Sequence, residues 1–162
     1  MSNASHHNIP KEKIISCGSS KGGTAALYYG IKYNFGYVIA GGFQIKVGDY
    51  LYSTSEYTRE TVLNFITGGT DKKHKDYLNK FFLGFVNHSK VTSNIYIHGG
   101  KGDSHYRQHV TTFIEIMKRR NMPYHLDLQN YSSHSQVGSY FSSFISEVFS
   151  KITNSITITS IA

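Results

Sequence analysis

Short apolar runs alternate along the chain with longer segments in which apolar residues recur every three or four positions. Runs rich in β-branched residues and closed by glycine or polar residues predict buried strands at residues 13–17, 37–40, 94–98 and 124–128. Helical spacing predicts helices over residues 24–33, 57–66, 75–86, 104–120 and 135–152. Strands and helices therefore alternate over most of the sequence.

This alternation predicts an α/β protein. Apolar strands that are separated by helices require crossover connections, which give a mostly parallel sheet with helices on both faces. We therefore expect a three-layer αβα architecture. Ligands of such sheets bind beyond the carboxyl ends of the strands, so the polar residues that directly follow each strand are the candidates for chemistry.

The length of 162 residues fits one domain. We interpret residues 1–10 as a cloning remnant and linker and residues 11–152 as the domain, with a lid-like helical insert at 53–88. Residues 153–162 form a tail to which we assign no structure. The aromatic residues of the insert region could line a substrate cleft or stack on sugars, but we expect most of them to belong to the core. They are Tyr50, Tyr52, Tyr57, Phe65, Tyr77, Phe81, Phe82 and Phe85.

Composition excludes several classes of protein. A hydrophobic share of 39% with 17% charged residues excludes a charged disordered tail, and no apolar run is long enough to span a membrane. The single cysteine, Cys17, excludes an internal disulfide framework and a cysteine-rich zinc site. Because no signal peptide is visible, the compartment stays unknown, with the cytoplasm as the default.

The net charge of +7 raises the alternative of a nucleic-acid partner. However, the basic clusters at residues 72–75 and 118–120 are short and lie on separate predicted elements, and no RNA- or DNA-binding signature is present. We therefore expect no nucleic-acid partner.

The clearest chemical motif follows the first predicted strand. Gly18-Ser19-Ser20-Lys21-Gly22 fits the pattern G-x-S-x-G between a strand and a helix, the context of a nucleophile elbow. Side chains at both glycines would be expected to collide with the neighbouring elements, and Ser20 would be the nucleophile. The backbone N–H of Lys21 would face a developing oxyanion at the helix start. The alternative is a glycine-rich turn without chemistry.

A nucleophilic serine needs a base and an acid that orients it. Asp103 follows the third strand, whereas Glu115 lies within a helix and Asp127 within a strand. Asp103 is therefore the candidate acid, although it could serve only as a helix cap. His134 follows the fourth strand in a short polar loop and is the candidate base.

The other histidines have plainer explanations. His98 and His125 lie in or near strands, where a hydrogen-bonded structural role is common. His105 and His109 are four residues apart on a helix, but they lack the glutamate of an H-E-x-x-H zinc motif. We therefore expect no metal site and no cofactor.

The order Ser20, Asp103, His134, with each residue just past a strand, resembles the α/β-hydrolase superfamily. In that family the nucleophile, acid and histidine follow strands five, seven and eight. The resemblance implies a partial α/β-hydrolase fold in which the four predicted strands correspond to strands five to eight. Residues 19–30 (SSKGGTAALYYG) are also similar to bacterial members that process surface glycans or capsular polysaccharides.

The resemblance implies a serine hydrolase that acts on carboxylic esters, as an esterase or deacetylase, through a Ser20–His134–Asp103 triad and an acyl-enzyme. Acylated glycans are candidate substrates, and Ser19, Lys21, Gly42 and Phe43 are candidate oxyanion or substrate-binding residues. The alternatives are an O-acyltransferase acting on a surface glycan and a catalytically silent binding module.

A sheet with only half of the family's strands would lack one oxyanion donor and would have an exposed edge strand. The family's second oxyanion donor follows strand three, and nothing before Lys11 would supply it. The strand at residues 13–17 would be an exposed apolar edge, so we expect a homo-oligomer, a strand-exchanged dimer or pairing with an upstream part of the chain.

Overall fold

The computed structural model describes residues 7–159, so residues 1–6 of the segment interpreted as a cloning remnant and linker lie outside the described residues. One parallel sheet contains four strands in the order β1-β2-β3-β4. The strands are β1 (Ile15–Ser19), β2 (Tyr37–Gly41), β3 (Asn94–Gly100) and β4 (His125–Gln129). The predicted α/β class and parallel sheet are confirmed, and strand bounds agree within two residues.

Six α-helices connect and cover these strands. They are α1 (Lys21–Tyr33), α2 (Val47–Thr54), α3 (Asn64–Thr67), α4 (Lys72–His88), α5 (Thr111–Arg119) and α6 (Val137–Thr159). The π-helical segment Thr58–Leu63 leads into α3, and a second π-helical segment, Tyr106–Val110, leads into α5. Short 3₁₀ turns span Lys11–Lys13 and His134–Gln136.

Two helices differ from the sequence prediction. Helix α2 was not predicted, because its eight residues contain an internal glycine, Gly48, and bury one large apolar side chain, that of Leu51. Helix α6 continues seven residues past position 152 and ends at Thr159. The first part of the segment described as a tail is therefore helical.

The sheet separates two apolar clusters, which gives the expected three layers. On one face, α1, α4 and α5 pack on alternate residues of the central strands, including Val38, Ala40 and Ile97. On the other face, α6 packs Phe141 and Val148 against residues that include Ile39. Alternation along β2 thus sends successive side chains into opposite clusters.

The aromatic residues of the insert contradict the sequence expectation that most would be core. Of the eight, Phe82 is buried, and Tyr57, Phe65, Tyr77 and Phe81 are exposed, with Phe65 at 91%. The others are half-buried. The expectation failed because the helices of the insert pack on a small cluster of leucines, while several aromatic rings face outward.

In the stretch from residue 7 to residue 159, no helix combines the length and the apolar character needed to cross a membrane. Among these residues β1 pairs with β2 alone and is a sheet edge, on which Cys17 is exposed.

Candidate active site

The turn between β1 and α1 holds Ser20 in a rare backbone conformation. Its φ is 52° and its ψ is −124°, and its N–H donates a hydrogen bond to the carbonyl of Gly41 at the end of β2 (2.8 Å). A non-glycine residue with positive φ is uncommon and costs energy. Ser20 is thereby fixed at the start of α1, beyond the carboxyl end of β1.

One of the two flanking glycines is required by close packing. A Cβ on Gly18 would lie 2.5 Å from the backbone carbonyl carbon and oxygen of Gly22, so any side chain at position 18 would force the turn open. A Cβ on Gly22 would meet nothing within 4 Å. The sequence expectation of a collision is therefore right for Gly18 and wrong for Gly22.

Three side chains from different turns form a continuous hydrogen-bonded chain. The Nε2 of His134 lies 3.0 Å from the Oγ of Ser20, and its Nδ1 lies 3.0 Å from the Oδ2 of Asp103. His134 follows β4 and Asp103 follows β3, so both reach Ser20 at the same edge of the parallel sheet. The structure thus brings together the three residues singled out as nucleophile, base and acid.

Asp103 combines the two roles that the sequence left open. Its carboxylate is fully buried, and while Oδ2 faces His134, Oδ1 accepts a hydrogen bond from the N–H of His105 (2.9 Å). The first contact fits an acid that orients a histidine, and the second is a helix cap. Two donors on separate oxygens hold the carboxylate in one orientation.

Gln44 is a buried neighbour of Ser20 that sequence reasoning missed. Its Nε2 lies 3.4 Å from the Oγ of Ser20 and donates to the carbonyl of Gly42 (3.3 Å). Thr24 anchors the residue: the N–H of Gln44 donates to the Thr24 hydroxyl (3.0 Å), which also lies 3.3 Å from Oε1. The one sequence signal was its place three residues after β2.

The remaining candidate residues lie in different surroundings. Gly42 (φ 53°) packs against His134, because a Cβ there would lie 3.1 Å from Cε1 of that ring, and its N–H donates to the carbonyl of His98 (3.0 Å). The side chain of Phe43 is fully buried in the core against Phe113.

Lys21 and Ser19 flank the nucleophile. Lys21 is exposed and begins α1, so its N–H has no partner within the helix. An oxyanion contact from this donor, predicted from the sequence, stays a prediction. Ser19 ends β1, pairs with Gly41 and is half-buried.

A second histidine–aspartate pair lies inside the sheet. The fully buried His98 contacts Asp127 through Nδ1 (2.6 Å) and the hydroxyl of Tyr131 through Nε2 (3.2 Å). Burial, followed by the nearby carboxylates, raises the pKa of Tyr131, so its hydroxyl stays protonated and donates to Nε2. His98 therefore has the structural role expected for a strand histidine.

Among the described residues, one group has metal-ligating atoms close together. Atoms of Asp103, His105 and His134 lie within 4.8 Å of one another. The Nδ1 of His105 is buried without a hydrogen-bond partner in the described chain, 3.7 Å from Oδ1 of Asp103. The same carboxylate and imidazole form the hydrogen-bonded chain to Ser20, so an ion bound here would displace it.

Solved structures supply the comparisons, since no family model and no curated protein matches the chain. The capsule O-acetyltransferase of Neisseria meningitidis serogroup A is 26% identical with a TM-score of 0.74, over 87% of this chain and 58% of that one. S-formylglutathione hydrolase from Staphylococcus aureus is 17% identical with a TM-score of 0.58, over 91% and 57%.

A glycosylation-associated protein complex from Streptococcus agalactiae matches with a TM-score of 0.74 at 16% identity, over 91% of this chain and 30% of that one. The chain thus spans less than two thirds of the length of each of these proteins. The acetyltransferase, the S-formylglutathione hydrolase and a ferulic acid esterase are of the α/β-hydrolase type. The resemblance stated from the sequence is confirmed at the level of the fold: this chain has a partial α/β-hydrolase fold.

Proposed function

We propose that this chain is a serine-dependent acyl-transfer enzyme that cleaves carboxylic esters. One observation carries the proposal: the hydrogen-bonded chain from Ser20 through His134 to the buried Asp103, with both distances at 3.0 Å. In such a chain the base takes the serine proton and the carboxylate holds the imidazole in the correct tautomer.

The first half of the reaction forms an acyl-enzyme. The Oγ of Ser20 attacks the ester carbonyl carbon while Nε2 of His134 accepts its proton. The tetrahedral intermediate collapses by breaking the bond to the alcohol oxygen, which leaves with the proton from His134. Asp103 stabilises the imidazolium that exists between these two proton transfers.

The negative charge that develops on the former carbonyl oxygen must be stabilised by hydrogen-bond donors. The N–H of Lys21 is one, since it lies at the positive end of α1 and has no helical partner. The amide of Gln44 is a second polar donor beside Ser20. Such preorganised donors usually contribute a large part of catalysis in acyl transfer.

The second half returns the enzyme to its starting state. An acceptor hydroxyl loses its proton to His134 and attacks the acyl carbon, and Ser20 leaves with that proton. Water as acceptor gives hydrolysis, for which acylated glycans are candidate substrates. A sugar hydroxyl gives O-acyl transfer.

The O-acyl transfer alternative rests on one specific comparison. The capsule O-acetyltransferase is 25–26% identical to this chain, and one of its structures contains CoA. This favours a glycan acceptor and an acyl thioester donor for the second candidate function. Hydrolysis and transfer share Ser20, His134 and Asp103. They differ in the acyl donor, an ester or a thioester, and in the acceptor of the second step.

A fluorophosphonate probe tests the shared step. We expect covalent labelling at Ser20, located by mass spectrometry and absent in Ser20→Ala. Asp103→Asn should slow labelling by about 10³-fold or more, because loss of the orienting carboxylate favours the wrong tautomer. Asp127→Asn is the matched control, since it changes the other histidine–aspartate pair, and should label normally. A folded chain that is not labelled would favour the silent binding module.

The separation of the basic clusters supports the expectation that the chain has no nucleic-acid partner. The basic cluster at residues 72–75 lies at the start of α4, whereas Arg120 donates to the carbonyls of Val86 and Ser89 near its end. About 20 Å of helix separates the two clusters. We expect oligonucleotide binding to be weak and to vanish at moderate salt.

The exposed edge of β1 supports a homo-oligomer or pairing with an upstream segment. Unpaired strand edges are templates for association, and β1 carries no charged side chain within Ile15–Ser19. Light scattering on the 162-residue chain is expected to give a dimer or larger species. A monodisperse monomer would contradict this proposal.

A further inference from the structure

An apolar cavity lies near the turn that carries Ser20, between α1 and the helices that follow β2, and Lys21 and Gln44 are among the residues that line it. Its volume is about 500 Å³, and apolar surface forms nearly all of its wall. Side chains that line it come from α1, α2, α3, α4 and the π-helical segment Thr58–Leu63, and they include Tyr28, Val47, Leu51, Ile66, Leu78 and Phe81. The cavity therefore lies between α1 and the helices that follow β2, and Phe82 of the apolar cluster on this face of the sheet forms part of its wall.

Three polar residues of the cavity wall lie close to the nucleophile. Lys21 follows Ser20 in the chain, Thr24 lies one turn along α1, and Gln44 places its amide 3.4 Å from the Ser20 Oγ. All three line the cavity. A molecule with one polar end and an apolar body would thus bind with its polar end at the serine.

We propose that this cavity binds the acyl group of the substrate, and that the acyl group is an apolar chain or ring longer than acetyl. The inference rests on the proposed acyl-transfer function and names its substrate class. An ester carbonyl at Ser20 would be next to Gln44, and the carbon chain attached to it would extend along Tyr28 and Leu51. An acetyl group would leave most of a 500 Å³ space unfilled.

The rim of the cavity is consistent with an apolar occupant. Ile66 and Phe81 line the cavity and are still 52% and 49% exposed, so they present apolar surface that a bound chain would cover. Burial of each methylene favours binding by about fourfold. A chain four to six carbons longer than acetyl therefore gains at least about tenfold, even when it is only partly covered.

A series of p-nitrophenyl esters tests the proposal on the full 162-residue chain. We expect kcat/KM to rise by about tenfold or more from acetate to hexanoate or octanoate. Ile66→Lys, which places a charge in the cavity, should abolish that rise. Phe65→Lys is the matched control: Phe65 is adjacent, 91% exposed and not part of the cavity wall, so the chain-length preference should persist.

A second measurement is independent of turnover. In the Ser20→Ala protein, octanoate should bind in a calorimetric titration at least about tenfold more tightly than acetate, and Ile66→Lys should remove the difference. Failure of the proposed function appears as no labelling of Ser20 and no turnover. Failure of the cavity assignment appears as equal affinity for octanoate and acetate or as turnover without chain-length preference.

Discussion

The imidazole rings of His105 and His134 meet edge to face, with their centroids 3.7 Å apart. This contact packs one side of the proposed base, and Gly42 approaches the same ring at Cε1. Burial, and after it the neighbouring His134, lowers the pKa of His105, so that His105 is neutral at pH 7 and adds no positive charge beside the base. His105 therefore acts on His134 through packing.

We expect His105→Ala to lower kcat by between about ten- and a hundredfold with little change in KM, because His134 gains room to turn away from Ser20. His105→Leu, which restores much of the packing volume without a polar atom, should recover most of the activity. Steady-state kinetics on both variants checks this. Equal loss in the two variants would show that the imidazole itself is needed.

Gln44 offers a second test, because it places an amide donor beside the reacting oxygen. We expect Gln44→Leu to lower kcat by about tenfold or more, since a preorganised donor to developing charge is lost. The carbonyl of Gly42 would also lose its partner, so unfolding should become easier by about 1–2 kcal/mol.

Rates per folded molecule and denaturant unfolding separate these two effects. Gln44→Glu is the informative companion: it keeps the size but replaces the donor with an acceptor that is repelled by an oxyanion. It should therefore be slower than Gln44→Leu. Unchanged kcat in both variants would exclude a role for this amide in the reaction.

The sequence identified the parts of the site that follow from topology. Ser20, Asp103 and His134 each come directly after an apolar run, and parallel strands bring their carboxyl ends to one edge, so their proximity could be predicted. The proximity of Gln44 to Ser20 could not be predicted, because its position depends on the path of the chain after β2. The inward direction of the Phe43 side chain could not be predicted for the same reason.

The packing of side chains within the insert could not be predicted from the sequence either. Phe65 on α3 is exposed and Phe82 on α4 is buried, although the two segments have similar apolar spacing. Which face of each helix is covered depends on how the helices of the insert pack against one another. The helix α2 itself depends on contacts with α4, such as the N–H of Asp49 donating to the side-chain carbonyl of Asn79 (3.1 Å).

The two motif glycines give a matched pair for stability. Gly18→Ala should be strongly destabilising, by about 3 kcal/mol or more, because the new Cβ would contact the backbone of Gly22 at 2.5 Å and backbone cannot move aside easily. Gly22→Ala should be neutral or stabilising by up to about 1 kcal/mol, since it lies in the first turn of α1 with open space around it. Denaturant unfolding of the two variants checks the contrast, and equal effects would contradict this description of the turn.

Burial of His109 should make the stability of the fold depend on pH. Burial, foremost, lowers its pKa to about 4, and its Nδ1 accepts a hydrogen bond from the N–H of Lys46 (3.3 Å), which requires the neutral ring. In the unfolded chain an ordinary histidine takes up a proton near pH 6.5. Between about pH 6.5 and pH 4 the unfolded state therefore binds one more proton than the folded state at this residue.

The unfolding free energy should consequently fall as the pH drops through this window, by up to about 1.4 kcal/mol per pH unit from His109. Above pH 6.5 this contribution is constant. His109→Asn keeps an acceptor for Lys46 and removes the titration, so its unfolding free energy should fall less steeply on acidification. His105 also has a lowered pKa and contributes in the same direction in both proteins, so the difference between them isolates His109. Parallel pH profiles for the two proteins would show that His109 is protonated as easily in the fold as outside it.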